Sequence, residues 1–202
     1  MTPAPVTRTF VEQARRRQIV EGTIALLADE GFAGASLSAI AKRVGLSKAA
    51  VLYHFATKDE VLAETVAHVL GALVEEVGGA VDAAGPDPAA MLLAYLRGFR
   101  AHLRAHRSHV RVLIEAGPAG GADPASPSRG QDVAVMIRAG QEAGTFRTGD
   151  PRTLAVIVNG ALDAVVGEWL ADPDYDLDAA GTELDAAVSR LLAPDLSGPS
   201  GS

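Results

Sequence analysis

The stretch SLSAIAKRVGLSKAAVLYHFATKDEVL, from Ser36 to Leu62, decides the fold of the N-terminal region. Its first serine is a good helix N-cap, and the apolar residues of the next two turns recur at the spacing of one helix face, at Leu37, Ile40, Ala41 and Val44. Gly45 ends this helix, and Ser47 is the N-cap of a second short helix that runs to about Phe55. Two short helices joined by a glycine-containing turn predict a helix-turn-helix.

Longer helices are predicted on both sides of this pair. A first helix covers roughly residues 9–30, and Gly31 stands where a C-terminal glycine belongs. Gly22 lies inside this helix at a cost of about 1 kcal/mol relative to alanine, which suggests a close contact. Thr57 and Glu60 form a capping-box pattern that opens a long third helix.

The same stretch contains all three lysines of the chain, Lys42, Lys48 and Lys58. The 202-residue chain has a net charge of −7, divided as +2 over residues 1–60 (8 Lys+Arg, 6 Asp+Glu) and −9 over residues 61–202 (10 and 19). A slightly basic head on an acidic body indicates that only the head meets a polyanion. From the pattern alone, a helical hairpin with a solvated charged face stays open as an alternative.

Composition predicts an all-α fold. Aromatic residues make up only 4% of the chain, so alanine, valine and leucine fill the core, which favours close-packed helices. The chain has no cysteine, which excludes disulfides, thiolate metal sites and cysteine catalysis. We expect no secretory signal, because the first residues lack an apolar core, and no apolar run long enough to span a bilayer. A cytoplasmic protein without a membrane partner is the expectation.

The segment GTIALLADEGFAGASLSAIAKRVGLSKAAVLYHFATKDEVL, residues 22–62, resembles the N-terminal domain of the tetracycline-repressor (TetR) family of transcriptional regulators. This resemblance implies a helix-turn-helix DNA-binding domain over residues 1–58 and a larger helical ligand-binding and dimerisation domain over residues 59–202. It also implies a homodimer that represses from a near-palindromic double-stranded DNA operator and is released by a small-molecule ligand. No cofactor and no enzymatic activity are expected.

Roles in DNA binding carry over where residues match the family pattern. Ser36 is expected to contact a phosphate at the N-terminus of its helix. The residues expected to face base edges are Ser47, Lys48, Ala49 and Ala50. Those expected to hold the DNA backbone are Tyr53, His54 and Lys58. The family usually has an aromatic residue where this sequence has Leu52, so one phosphate hydrogen bond is expected to be missing unless Tyr53 compensates.

The remaining chain also reads as helices, up to a tail from about residue 194 that is expected to be disordered. A mobile loop is expected over residues 117–128, which are rich in glycine, proline and serine. A ligand cavity requires apolar bulk with a few polar groups. The residues predicted to line it are Met91, Tyr95, Phe99, Leu113, Asn159 and Asp163. The last two are either pocket groups or an interface pair, and the sequence leaves both readings open.

The last two helices are predicted to form the dimer interface. Gly160, Ala164 and Gly167 form a small-residue stripe that permits close helix contact, and Trp169 suits a packed interface. Burial within the subunit is the alternative. The arrangement DPRTLA…GALDAVVGEWLADP resembles the C-terminal segment of the family, which favours the dimer.

A histidine series in the middle of the chain invites a metal hypothesis, at His102, His106 and His109. Interleaved arginines disfavour a cation there, and AHRSH reads as a turn that breaks the helical register, so no metal site is expected. The arginines form either a solvated face or a feature that favours an anionic ligand. Two other functions compete: an all-α enzyme, which no catalytic motif supports, and a DNA-binding dimer without a ligand.

Overall fold

The computed structural model describes residues 9–116, 129–172 and 174–194, and this part of the chain is helical without a strand. The nine helices of these ranges are α1 (Phe10–Gly34), α2 (Leu37–Arg43), α3 (Lys48–His54), α4 (Lys58–Ala83), α5 (Pro88–Ala105), α6 (Arg107–Ala116), α7 (Arg129–Glu142), α8 (Pro151–Ala171) and α9 (Leu177–Leu192). The all-α prediction is confirmed. The predicted mobile loop at 117–128 and the tail beyond 194 lie outside the described residues.

The helices of the N-terminal region begin where the sequence predicts, but α1 continues past the predicted end to Gly34, with a kink at Gly31. Thr9 caps α1 in a full capping box with Glu12, and Gly31 adopts a φ of 69° that breaks the helical conformation. Gly45 adopts the same φ of 69° in the turn between α2 and α3. Because L-residues rarely adopt this conformation, glycine is the natural choice at both positions.

The chain divides into two compact units. Among the described residues, the N-terminal unit contains 9–72 and 106–116, and the C-terminal unit contains 73–105, 129–172 and 174–194. Contacts therefore assign α6 and the first part of α4 to the N-terminal unit, which differs from a division at residue 58. That boundary stays a prediction about where the DNA-binding function ends.

The core of the N-terminal unit is aliphatic and continuous. Its most deeply buried side chains come from α1, α2, α3, α4 and α6: Ile19, Leu27, Ile40, Val51, Phe55, Val61 and Val112. Since each short helix contributes only one or two of these side chains, α2 and α3 depend on burial against α1 for their stability.

In the C-terminal unit, α7 packs on α8, and both α5 and α8 contact α9. The buried side chains of this unit include Leu92, Leu96, Ile137, Leu162, Val188 and Leu192. Helix α8 is long and apolar enough to cross a membrane by length and composition alone, which corrects the expectation that no apolar run reaches this length. Leu154, Val158 and Leu162 on its inner face are buried among the helices of its own unit.

Candidate nucleic-acid interface

The second helix of the helix-turn-helix presents one face to the core and the opposite face to solvent. The Ser47 hydroxyl accepts a hydrogen bond from the Ala50 amide at 3.1 Å, which fixes the first turn of α3. Val51 is fully buried and orients the helix. Lys48 and Ala49 are exposed at its N-terminal end. A charged group beside small residues at this position has the geometry of a helix that can enter a major groove.

Ser36 also acts as the N-cap that the sequence predicts. Its hydroxyl accepts a hydrogen bond from the Ala39 amide at 3.1 Å, and the side chain is exposed at the start of α2. Lys42 lies in the last turn of the same helix and is exposed. Helix α2 thus brings a free helix end and one cation to the surface, the two features that bind phosphate groups.

Tyr53 and His54 end the exposed face of α3. The tyrosine is 73% exposed, and its ring meets the His54 ring edge-on with the centroids 5.0 Å apart. Partial burial, together with the positive charges of Arg16 and Arg15, lowers the pKa of the His54 imidazole below its usual value. The folded protein therefore favours the neutral ring.

Lys58 is half-buried at the start of α4, and its Nζ lies 3.5 Å from the carbonyl oxygen of Phe32. This weak contact points the ammonium group towards the end of α1. That Lys58 contacts the DNA backbone stays a prediction. The contact requires the ammonium group to move away from the Phe32 carbonyl.

The best-connected polar side chain of the N-terminal unit is Arg16, to which the sequence alone assigns no role. It is 5% exposed, and its guanidinium donates to the His54 carbonyl and to the Glu64 carboxylate. Its Nη2 also lies 3.5 Å from Glu60, and its Cζ stacks 3.8 Å from the centroid of the Phe55 ring. One side chain of α1 therefore holds the end of α3 and the first two turns of α4. We call this group the Arg16 clamp.

Gly22 provides the second contact that fixes the position of the helix-turn-helix. A methyl group added to Gly22 would overlap the Val44 side chain at the end of α2. The close approach that the sequence suggests at this glycine is confirmed. It allows α2 to lie directly against α1.

Four of the six residues predicted to line a ligand cavity meet in the C-terminal unit. The Tyr95 hydroxyl donates to Asn159 Oδ1 at 2.7 Å, and the Tyr95 and Phe99 rings lie 6.3 Å apart. Arg129 stacks on the Phe99 ring at 4.9 Å and pairs with Asp163 at 2.6 Å. Burial raises the pKa of the Tyr95 hydroxyl, so it remains a neutral donor. We call these five residues the aromatic–acid cluster.

Two further predicted cavity residues stand apart from this cluster. Met91 is partly buried one turn before Tyr95 on α5. Leu113 belongs to the N-terminal unit, where it packs against the hydrophobic core. The inclusion of Leu113 is therefore corrected: its apolar character serves the core around Val112.

The small-residue stripe of α8 lies on the exposed side of that helix. Gly160, Ala164 and Gly167 are all exposed, and a Cβ built on either glycine meets no atom within 4 Å among the described residues. Val156 and Ile157 extend the stripe and are 63% and 46% exposed. Together, these five residues form what we call the α8 face.

Trp169, in contrast, is only 7% exposed and packs inside the C-terminal unit. Its placement at the interface is corrected to burial within the subunit, the alternative that the sequence left open. Along α8, it lies on the same side as Leu162 and Val166, which are also buried.

The histidine series does not lie on one helix. Helix α5 ends at Ala105 and α6 begins at Arg107, which confirms the predicted break in register. In the C-terminal unit, His102 Nδ1 lies 2.8 Å from Glu76 Oε2. In the N-terminal unit, the His106 and His109 rings stack with centroids 4.8 Å apart. The structure thus pairs His102 with a carboxylate and His106 with His109.

Comparison with known proteins identifies the N-terminal domain. Residues 19–65, which contain α2, α3 and parts of α1 and α4, match the family model described as bacterial regulatory proteins, tetR family. Residues 19–65 are therefore an N-terminal domain of the TetR type. The curated relatives that match this region are named transcriptional regulators.

Curated relatives match mainly over the N-terminal region. The HTH-type transcriptional regulator BetI of Stenotrophomonas maltophilia is 35% identical over 88 residues, covering 44% of this chain and 45% of the relative. PksA of Bacillus subtilis is 45% identical over 51 residues, a quarter of each protein. The chain thus spans less than half the length of the curated TetR relatives it matches.

Solved TetR-like structures share the fold over most of the chain. A putative transcriptional regulator from Saccharomonospora viridis, in complex with choline, superposes with a TM-score of 0.73 at 22% identity and covers 90% of this chain and 98% of that one. The regulator PfmR from Thermus thermophilus superposes with a TM-score of 0.67 at 21% identity, covering 86% and 96%. At this identity, the likeness shows the fold alone.

The departure from the TetR pattern at Leu52 has a structural counterpart. Leu52 is 39% exposed on α3, whereas Tyr53 next to it is 73% exposed. An apolar side chain therefore stands on the surface where an aromatic hydroxyl is usual in the family. Tyr53 is the exposed hydroxyl that is available to replace it.

Proposed function

We propose that this chain is a DNA-binding transcriptional repressor of the cytoplasm that acts as a homodimer on a palindromic operator. The observation that carries this proposal is the geometry of α3. Its inner face is locked by Val51, and its exposed first turn presents Lys48 and Ala49. A rigid helix with a cation and small side chains at its N-terminal end suits base reading in the major groove.

The surrounding residues would position α3 on the duplex. Ser36 and Lys42 on α2, with Tyr53 and His54 at the end of α3, lie on both sides of the reading turn and suit phosphate contacts. Such contacts carry no sequence information directly, but they set the register of the base-reading side chains. Sequence preference would then come from the first turn of α3.

The α8 face supports the homodimer. It combines two exposed β-branched side chains with glycines that leave open space for a second helix. A twofold dimer uses the same patch on both subunits, so one such face is sufficient. The dimer would place its two reading helices one helical turn apart on DNA, about 34–36 Å, or a multiple of this distance.

The aromatic–acid cluster is the proposed effector site. Its Arg129 guanidinium lies between the Phe99 ring and the Asp163 carboxylate. An aromatic face beside a carboxylate also suits an organic cation, which would take the place of the guanidinium. The choline complex of the S. viridis protein agrees with this chemistry.

The Arg16 clamp supplies the link from effector to DNA. Because Arg16 joins Glu64 of α4 to the end of α3, a tilt of α4 would carry the reading helix with it. The spacing of the two reading helices in the dimer would then change. Effector binding releases the operator only if it favours the spacing that DNA does not.

Two experiments test these proposals. The first is fluorescence anisotropy with the duplex that the protein selects from a randomised pool, titrated with and without choline as the probe. Choline should weaken operator binding by the wild-type protein but not by Asp163→Asn. Selection of no duplex contradicts the DNA-binding proposal, and an equal choline effect on both proteins removes the effector site from the aromatic–acid cluster.

The second experiment measures the dimer by sedimentation. Gly160→Leu and Gly167→Leu should weaken the dimer, because overpacking a close contact costs about 1–3 kcal/mol. Gly78→Leu on α4 is the matched control, because a Cβ there also meets nothing within 4 Å among the described residues. Unchanged dimers in both α8 variants would remove this face from the interface.

A further inference from the structure

Helices α5 and α9 form a second polar site, an open cavity in the C-terminal unit. A cavity of about 600 Å³ lies between them, within the size range of small-molecule sites. The residues that line it are Leu93, Arg97, Arg100, Asp178, Thr182, Asp185, Ala186 and Ser189. Both this cavity and the aromatic–acid cluster use residues of α5, but no residue belongs to both.

Arg100 is the decisive residue of this cavity. The whole residue is 9% exposed, and its Nη2 donates to Asp185 Oδ1 at 2.9 Å. Its other terminal nitrogen, Nη1, is buried without a hydrogen-bond partner among the described residues. A buried donor that has lost water and gained no acceptor costs free energy, so native structures seldom retain one without a reason.

The packing around Arg100 holds its guanidinium in place. A Cβ added to Gly181 of α9 would lie 2.6 Å from Arg100 Nε, so only a glycine allows the guanidinium to lie this close to the helix. The guanidinium thus lies directly against α9. An acceptor for Nη1 has to come from outside the chain or from a shift of the side chain.

The charges around the cavity leave an excess of one positive charge. Asp185 is shared, since Arg97 Nε lies 2.6 Å from its second oxygen while Arg100 holds the first. Asp178 pairs with Arg104. Arg97 and Arg100 therefore carry one more charge than the carboxylate they share, while Asp178 is matched by Arg104, which does not line the cavity.

The other polar groups of the cavity do not offset this excess. Thr182 donates its hydroxyl proton to the Asp178 carbonyl at 3.0 Å, and Ser189 donates to the Asp185 carbonyl at 2.8 Å. Leu93 and Ala186 add apolar surface. The cavity thus combines an arginine pair with an apolar wall.

We propose that this cavity binds a small amphipathic anion, with a carboxylate or phosphate group at Arg97 and Arg100 and an apolar chain against Leu93 and Ala186. A small shift of the guanidinium would bring the buried Nη1 to the oxyanion, which would supply the acceptor that this nitrogen lacks and neutralise the excess charge. Arginine forks match the geometry of both anion types. The site is separate from the effector site proposed above, and the two take ligands of opposite charge.

The test is isothermal titration of the full chain with hexanoate and with hexyl phosphate, using hexanol as the neutral control. Saturable binding of either anion, without binding of hexanol, is the expected result. The two anions distinguish a carboxylate site from a phosphate site. If neither anion binds, or if hexanol binds equally well, the proposal is overturned.

Two variants locate the binding at Arg100. Arg100→Lys keeps the charge but loses the guanidinium fork, and Gly181→Ala displaces the guanidinium without any change of charge. Each should weaken anion binding by about tenfold or more. Arg138→Gln removes an exposed positive charge of α7 outside the cavity and should leave binding unchanged.

Circular dichroism and operator binding are measured on the same preparations. Unchanged anion affinity in both folded cavity variants overturns the proposal, and an equal loss in Arg138→Gln shows a general effect of charge, which also overturns it. Should Arg100→Lys fail to fold, Gly181→Ala alone decides. Because the proposed effector is tested with choline and Asp163→Asn, either proposal can fail without the other.

Discussion

The helix-turn-helix and the C-terminal helices use polar side chains in different ways. In the first region, Ser36 and Ser47 each bond to an amide three residues ahead, so the polar groups define where helices begin. In the second, Tyr95 bonds to Asn159, 64 residues away, and Arg100 bonds to Asp185, 85 residues away. Polar groups there join helices across the interior.

This difference shows which parts of each region tolerate change. A lost N-cap weakens one helix end, by about 1 kcal/mol. A lost partner in the interior leaves a buried polar group unsatisfied and affects two helices at once. The Arg16 clamp is the exception within the N-terminal unit, since it joins α1 to residues of α3 and α4 that lie 38 and 48 positions away.

The largest expected effect on stability comes from removal of the Arg16 clamp. Arg16→Leu removes the donors to His54 and Glu64, and we expect it to lower the free energy of unfolding by about 3 kcal/mol. Operator affinity should fall as well, because the end of α3 loses its attachment. Urea unfolding and anisotropy measure the two effects. Arg17→Leu, at an exposed neighbouring position, is the control, and an equal loss there would refute the clamp.

The next effect concerns the contact between Gly22 and Val44. Gly22→Ala forces the Val44 side chain aside, and we expect a loss of about 1–2 kcal/mol even though alanine favours helices. Gly71→Ala on α4 is the matched control. A Cβ there meets nothing within 4 Å among the described residues, so it should stabilise the protein by up to about 1 kcal/mol. Equal effects of both substitutions in thermal unfolding would show that the close approach has no energetic weight.

The sequence predicted the structure of the helix-turn-helix more accurately than the contacts of the C-terminal helices. The bounds of α2 and α3 followed from two serines and a glycine, because caps and turns act within a few residues. The capping box at α4 was half right: Thr57 caps Glu60 as predicted, but the Glu60 carboxylate accepts from the Ala56 amide instead. The local signals therefore predicted where α4 begins but not which amide donates to Glu60.

Sites that depend on distant contacts were less predictable. Tyr95, Phe99, Asn159 and Asp163 were grouped correctly as apolar and polar neighbours of central helices, but Arg129, which completes the cluster, was not. The Arg16 clamp was missed because a run of three arginines reads as a charged surface. The helical spacing contains the signal, because Ile19 and Val20 follow Arg16 by three and four residues and share its buried face.

A smaller effect is expected where the chain departs from the family pattern. Leu52→Tyr places a hydroxyl on the exposed face of α3, and one added phosphate hydrogen bond should strengthen DNA binding by about 1 kcal/mol. Because the contact is to the backbone, the gain should be equal on operator and on unrelated duplexes. Anisotropy at one salt concentration measures it. Leu52→Phe, which lacks the hydroxyl, serves as the control and should gain less.

The smallest effect is the pH dependence that His54 contributes. Its pKa is lowered in the folded state by burial and by Arg16 and Arg15, so the unfolded state binds the proton first. Stability from this group is therefore fully present above the usual histidine pKa and is lost as the pH falls through it. The free energy of unfolding, measured with urea at about pH 7.5 and about pH 5.5, should depend less on pH in His54→Asn than in the wild type. An identical dependence would show that the surroundings of His54 do not disfavour its protonation.

The most direct test of the account compares Lys48→Ala with Lys58→Ala on the selected operator and on a scrambled duplex, at several salt concentrations. Lys48 is exposed in the first turn of α3 and should read a base, so its loss should cost about 1–3 kcal/mol on the operator and relax preference at one base pair per half-site. Lys58 should contact only the backbone, so its loss should weaken both duplexes alike and lower the salt slope by about 1 per subunit. If Lys48→Ala weakens both duplexes equally, the exposed face of α3 does not read sequence, and the central claim is contradicted.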